Sequence, residues 1–114
     1  MRPERLLLSD MLDAIREIQS FISGVTLDTF IGDTKTRSAV LYQLIVVGEA
    51  AARLPDDLKQ RHPEIDWGPV VAFRNRVVRG YFALDWSIVW NAANVDIRTL
   101  EPLIASIISS EFTE

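Results

Sequence analysis

Apolar residues recur at steps of three and four over the first part of the chain. Leu8, Met11, Leu12, Ile15, Ile18 and Ile22 fall on one side of a helix, and Asp10, Asp13, Arg16 and Glu17 take the other. The pattern predicts a first helix over 4–23, stopped by Gly24. A connector over 25–32 holds one short turn and lays Phe30 against the core. Asp33 then caps a second helix that runs to about Leu54, where Pro55 ends it. From Ser38 to Ala52 its only charge is Glu49, among Val40, Leu41, Leu44, Ile45, Val46, Val47, Ala50 and Ala51. A helix so apolar is buried on more than one side. In so small a bundle this predicts a partner subunit over one side, with Gly48 permitting a close helix approach there.

A short polar segment over 56–62 ends at His62-Pro63. Asp66 caps the next helix, which has Pro69 in its first turn and Trp67 anchoring the corner, and ends near Gly80. After a short link, Asp85 caps a last helical region from Trp86 to about Ser110. Its seam is Trp86, Trp90, Ala93, Ile97, Leu100, Ile104 and Ile107, and Pro102 off the seam is expected to kink or break it. No stretch reads as a strand, repeat or linker. The predicted fold class is all-α, an up-and-down antiparallel bundle of four main helices forming one domain over 1–114.

Composition narrows the chemistry. With 114 residues and 48% apolar content the chain can bury a core. It has no cysteine and one histidine, so disulfides, thiol nucleophiles and zinc–thiolate sites are excluded. The apolar run Leu6-Leu7-Leu8 is too short for a signal-peptide core, and no run approaches the roughly 20 residues of a membrane span. A cytoplasmic protein is expected. A net charge of -4 argues against nonspecific wrapping by nucleic acid, so any such contact is local. Glycine-rich phosphate loops, HExxH, EF-hand and Gly-x-Ser-x-Gly motifs are absent. A helix-turn-helix reader needs several exposed polar residues on its recognition helix, whereas the arginine-bearing helix here is half apolar.

One stretch departs from this acidic balance. Phe73 to Tyr81 holds Arg74, Arg76 and Arg79 and no acid. As a helix, it has an apolar stripe of Val70, Val71, Val77, Val78 and Tyr81, with Arg74 near the middle. An unpaired arginine there costs several kcal/mol if fully desolvated, so Arg74 needs an acidic residue, a partner surface or an anionic ligand. Glu49, the other isolated charge in an apolar setting, either faces Arg74 or reaches the rim of the bundle. Asn75 and Arg79 lie four apart on one flank of the stripe. Arginine holds phosphate oxygens in pairs, and asparagine and the Tyr81 hydroxyl add hydrogen bonds. These are parts of a site that stabilises phosphodiester charge without a metal. A proton carrier is missing, because arginine stays protonated at any working pH. His62, beside a proline in a polar segment, is expected at the surface or as a cap.

Four segments together resemble the HepT-like HEPN family. They are Gly48-Glu49-Ala50, His62-Pro63-Glu64-Ile65-Asp66-Trp67, the span from Arg74-Asn75 to Gly80-Tyr81-Phe82, and Asp85-Trp86 with Val89-Trp90. The resemblance covers nearly the whole chain. It implies a helical bundle that dimerises and a ribonuclease that needs no metal or other cofactor, with motif residues of two subunits lining one cleft. It further implies a toxin of a toxin–antitoxin pair, with RNA as substrate and an MntA-like minimal nucleotidyltransferase as antitoxin. Carried onto this sequence, the catalytic positions are Arg74, Asn75 and position 79, with Glu49 in a supporting ion pair and Tyr81 as the tyrosine that the antitoxin adenylylates. Position 79, where the family has histidine, is arginine here. The implied function is an RNA-cleaving toxin impaired at that position. The alternative is a non-catalytic binding module of the same fold for nucleotide, RNA or a nucleotidyltransferase.

Overall fold

The computed structural model of the chain describes residues 2–112, the side chains of Val78 and Tyr81 excepted. Helix α1, Glu4–Ile22, follows from its apolar stripe, which buries Leu8, Met11, Ile15 and Ile18 completely. Gly24 ends the segment at φ +74°, a left-handed conformation that residues with a Cβ rarely adopt. The connector contains a short helix α2, Leu27–Gly32, started by the Thr26 hydroxyl accepting from the Thr29 amide. Phe30 points inward and is fully buried, 5.1 Å from the Trp90 ring and 6.3 Å edge-on from Trp86. The Arg37 guanidinium closes this corner, 4.6 Å over the Trp86 ring and donating to the Ile31 carbonyl at 2.7 Å.

Helix α3, Thr34–Arg53, is the centre of the bundle. The Asp33 carboxylate caps it, accepting from the Thr36 amide at 3.2 Å and the Thr36 hydroxyl at 2.6 Å. α3 packs along α1 on one side and along α5, Trp67–Gly80, on the other. That accounts for its burial on several sides within one chain, although Tyr42 stays 65% exposed on the outer face. Gly48 does serve a close helix approach, and its neighbour is α5 of the same chain. A Cβ at Gly48 would lie 2.7 Å from the Arg74 Cβ and 3.2 Å from the Val70 carbonyl oxygen.

Between α3 and α5, helix α4, Asp56–Arg61, crosses to the end of the last helix. Arg61 pairs with Glu111 at 2.7 Å and with Asp57 at 3.0 Å. His62, expected at the surface or as a cap, is the C-cap of α4 and is half-buried: one ring nitrogen contacts Glu111 and the other lies 3.5 Å from Glu64. Its carbonyl accepts from the Trp67 indole at 3.1 Å, which fixes the corner into α5. The packing of α4 on the last helix, invisible to local sequence, draws the imidazole inward.

After a 3-10 turn over Tyr81–Ala83, the Asp85 carboxylate accepts from the Ser87 amide and starts α6, Trp86–Asn91. A π turn over Ala92–Asp96 joins it to α7, Ile97–Glu111, in one helical run that packs along α1. The run is irregular, as expected of the last helix, and holds a wide turn in which the Ile97 amide donates to the Ala92 carbonyl. Pro102 lies within α7. The described residues hold no strand, and the architecture is an all-α bundle around one contiguous apolar core. Among the described residues no helix is long and apolar enough to cross a membrane.

Candidate functional site

Arg74 stands where α3 and α5 come closest. Because Gly48 has no side chain, the Arg74 Cβ sits directly against α3, and its guanidinium reaches past to the next residue. Arg74 Nη1 donates to Glu49 Oε1 at 2.7 Å, and Arg53 Nε lies 3.9 Å from Glu49 Oε2. One carboxylate thus lies between two guanidiniums, a group with net positive charge in a protein of net charge -4. The Arg74 side chain is 27% exposed and that of Glu49 39%. The Arg74 Nε is buried and has no hydrogen-bond partner. The pairing removes part of the cost of placing a cation beside Val70, Val71 and Val77, and leaves one donor unused.

The other predicted residues stand apart from this contact. Asn75, Arg76 and Arg79 are exposed on α5. Five residues of helix turn Arg79 about 140° from Arg74, whereas Asn75 and Arg79 share a flank. Within one chain, therefore, Arg74 faces α3 and the Asn75–Arg79 flank faces solvent. Arg76 lies toward Asp85, whose carboxyl is held below the usual range first by the Ser87 hydrogen bonds and in small part by Arg76. The Tyr81 side chain, the expected adenylylation position, lies outside the described residues. His62 makes its contacts with Glu64, Glu111 and Trp67, away from Arg74. No three His, Asp or Glu side chains among the described residues are grouped to hold a metal ion.

The residue that sequence reasoning passed over is Arg53. Its signal was present, since it follows Glu49 by four positions on one helix face, the spacing of an ion pair. Beside the site, α3, the first half of α5 and the last helix enclose an open groove of about 430 Å3, lined by Val47, Val70, Phe73, Ile97, Leu100 and Leu103 among others. Phe73 also lines a smaller depression against α6 with Arg76 and Asp85, so open surface follows α5 along its length.

Residues 11–107 match the family model described as "Ribonuclease HepT-like". The chain is 33% identical over 107 residues to "Putative RNase MJ0127" of Methanocaldococcus jannaschii, covering 90% of this chain and 88% of that protein. It is 34% identical over 94 residues to "Probable ribonuclease HepT" of Thermococcus cleftensis, covering 82% of this chain and 86% of that one. No solved structure matches at the same stringency. A helical bundle with its arginine helix locked to α3 by Gly48 and Glu49, matched over 11–107 by one family model, has one assignment: the chain belongs to the HepT-like ribonuclease family.

Proposed function

We propose that this chain is the RNA-cleaving toxin of a toxin–antitoxin pair, impaired because position 79 is arginine. The observation that carries the reading is the Gly48–Glu49–Arg74 contact, which fixes a part-exposed guanidinium where α3 meets α5, next in sequence to the exposed Asn75. In a symmetric dimer whose two α5 helices face each other, Arg74 and Asn75 of both copies line one cleft. Arg74 and Asn75 would hold the scissile phosphate and its developing charge. Arg79 adds positive charge and takes up no proton from the 2'-hydroxyl, so the proton-transfer share of catalysis, ~10²-fold or more, is lost.

The partner would be an MntA-like nucleotidyltransferase that transfers AMP from ATP to the Tyr81 hydroxyl, with pyrophosphate leaving, and so adds a bulky anion to the motif. Expression of Arg79→His in cells tests the reading. Growth arrest relieved by co-expression of an MntA-like nucleotidyltransferase is expected, and a folded variant without effect on growth contradicts it. The second reading, a binding module that never turned over, is favoured by Arg79 itself. It predicts RNA binding that weakens with salt in both forms and cleavage in neither.

A further inference from the structure

The Arg74–Glu49–Arg53 group continues into a second feature. Arg53 ends α3 with its side chain 69% exposed, and it also lines an open depression of about 500 Å3 between the start of α1 and the end of α3. Arg2, Arg5, Pro55 and Phe112 share this depression, and Glu4 is the one acid among the described residues that line it. Arg2 is already neutralised by Asp10, through two hydrogen bonds of 2.6 and 2.9 Å. Arg5 is exposed and makes no ion pair among the described residues. Arg53 shares its carboxylate with Arg74, which holds the shorter contact. Positive charge therefore runs without full compensation from Arg74 over Arg53 to Arg5, and the apolar faces of Pro55 and Phe112 lie beside it.

We propose that this depression is a subsite for single-stranded RNA, next to the phosphate site at Arg74. Arg53 and Arg5 hold successive backbone phosphates, and the Phe112 ring with Pro55 offers a platform for a base. Alternating cations and an aromatic face are what a flexible strand needs, because every phosphate is an anion and every base has a π-face. Double-stranded RNA presents its bases stacked and does not fit this use of Phe112. The subsite rests on the reading of the chain as an RNA-acting protein and gives the strand its path away from the cleft.

The test measures affinity of the full chain for a short unstructured single-stranded RNA over a series of salt concentrations. Arg53→Gln and Arg5→Gln are each expected to weaken binding and lower the slope of log affinity against log salt by about 0.7, the loss of one phosphate contact. Lys35→Gln makes the same charge change at the other end of α3, about 27 Å away by helix rise, and is expected to leave the slope unchanged. The Arg53–Glu49 contact is exposed and long, so the variants should fold like the parent. Equal losses in all three variants, loss in only one of the two arginine variants, or no binding by the parent would each overturn the subsite. Binding and cleavage separate the two readings. A salt slope lowered as expected, with no cleavage by Arg79→His, keeps the subsite and removes the nuclease; cleavage with an unchanged slope does the reverse.

Discussion

Replacing Gly48 by alanine will destabilise the fold, although alanine is the better helix former. The exchange favours alanine by about 1 kcal/mol in a helix interior. Against this stands contact with α5. The new Cβ would meet the Arg74 Cβ at 2.7 Å and the Val70 carbonyl oxygen at 3.2 Å. Both atoms are fixed by the α5 backbone, so no change of rotamer relieves them and the helices must part by about 1 Å to restore packing. Overpacking of a rigid contact costs about 1–3 kcal/mol, here toward the upper end. The net loss is about 1–2 kcal/mol, a fall in Tm of roughly 4–8 °C for a chain of this size. Thermal and urea unfolding measure it, with Gly68→Ala as the internal comparison, because a Cβ there meets only Asp66 Oδ1 at 3.9 Å. That variant should match or exceed the parent. Parent-like or greater stability of Gly48→Ala would refute the close α3–α5 approach that positions Arg74.

Glu49→Gln leaves Arg74 partly buried beside a neutral amide. A loss of about 1–2 kcal/mol in urea unfolding is expected, between the values for exposed and buried pairs, and Arg74→Met should recover part of it. Glu111 is held below its ordinary value of 4.5 by hydrogen bonds from Arg61 and then His62. A lowered folded pKa means its contribution is complete above that value and is lost as pH falls through the folded pKa. The parent's urea midpoint should therefore fall more steeply below about pH 4.5 than that of Glu111→Gln, and parallel curves would count against the latch between α4 and α7. With a nucleotidyltransferase partner and ATP, mass spectrometry should place AMP on Tyr81. A stable complex with Tyr81 unmodified would contradict that assignment.

The helices were legible because their signals are local. Caps at Asp33 and Asp85, the stop at Gly24 and the three-and-four spacing of α1 each act within one or two turns. The inward placement of Phe30 was legible for the same reason. What arises between elements was not. The π turn over Ala92–Asp96 has no proline or glycine to mark it, whereas Pro102, the visible signal, sits inside a continuous helix. His62 reads as a cap or polar surface, and it does cap α4, but its contact with the end of α7 has no local signal. The isolation of Arg74 and Glu49 among apolar residues pointed to one contact and left open whether they met. Their 2.7 Å separation depends on Gly48, whose close neighbour could equally have been another subunit. Arg53 escaped notice because an i,i+4 pair at a helix end reads as ordinary surface charge.

Cleavage of RNA by purified Arg79→His tests most directly whether this bundle carries a ribonuclease site lacking only its proton carrier. The variant should cut single-stranded RNA at least about 100-fold faster than the parent, the share ascribed to general acid–base catalysis. Adding Arg74→Ala should abolish the gain while the protein remains folded. A folded Arg79→His protein that cuts no faster than the parent, or one whose cutting survives Arg74→Ala, would contradict it.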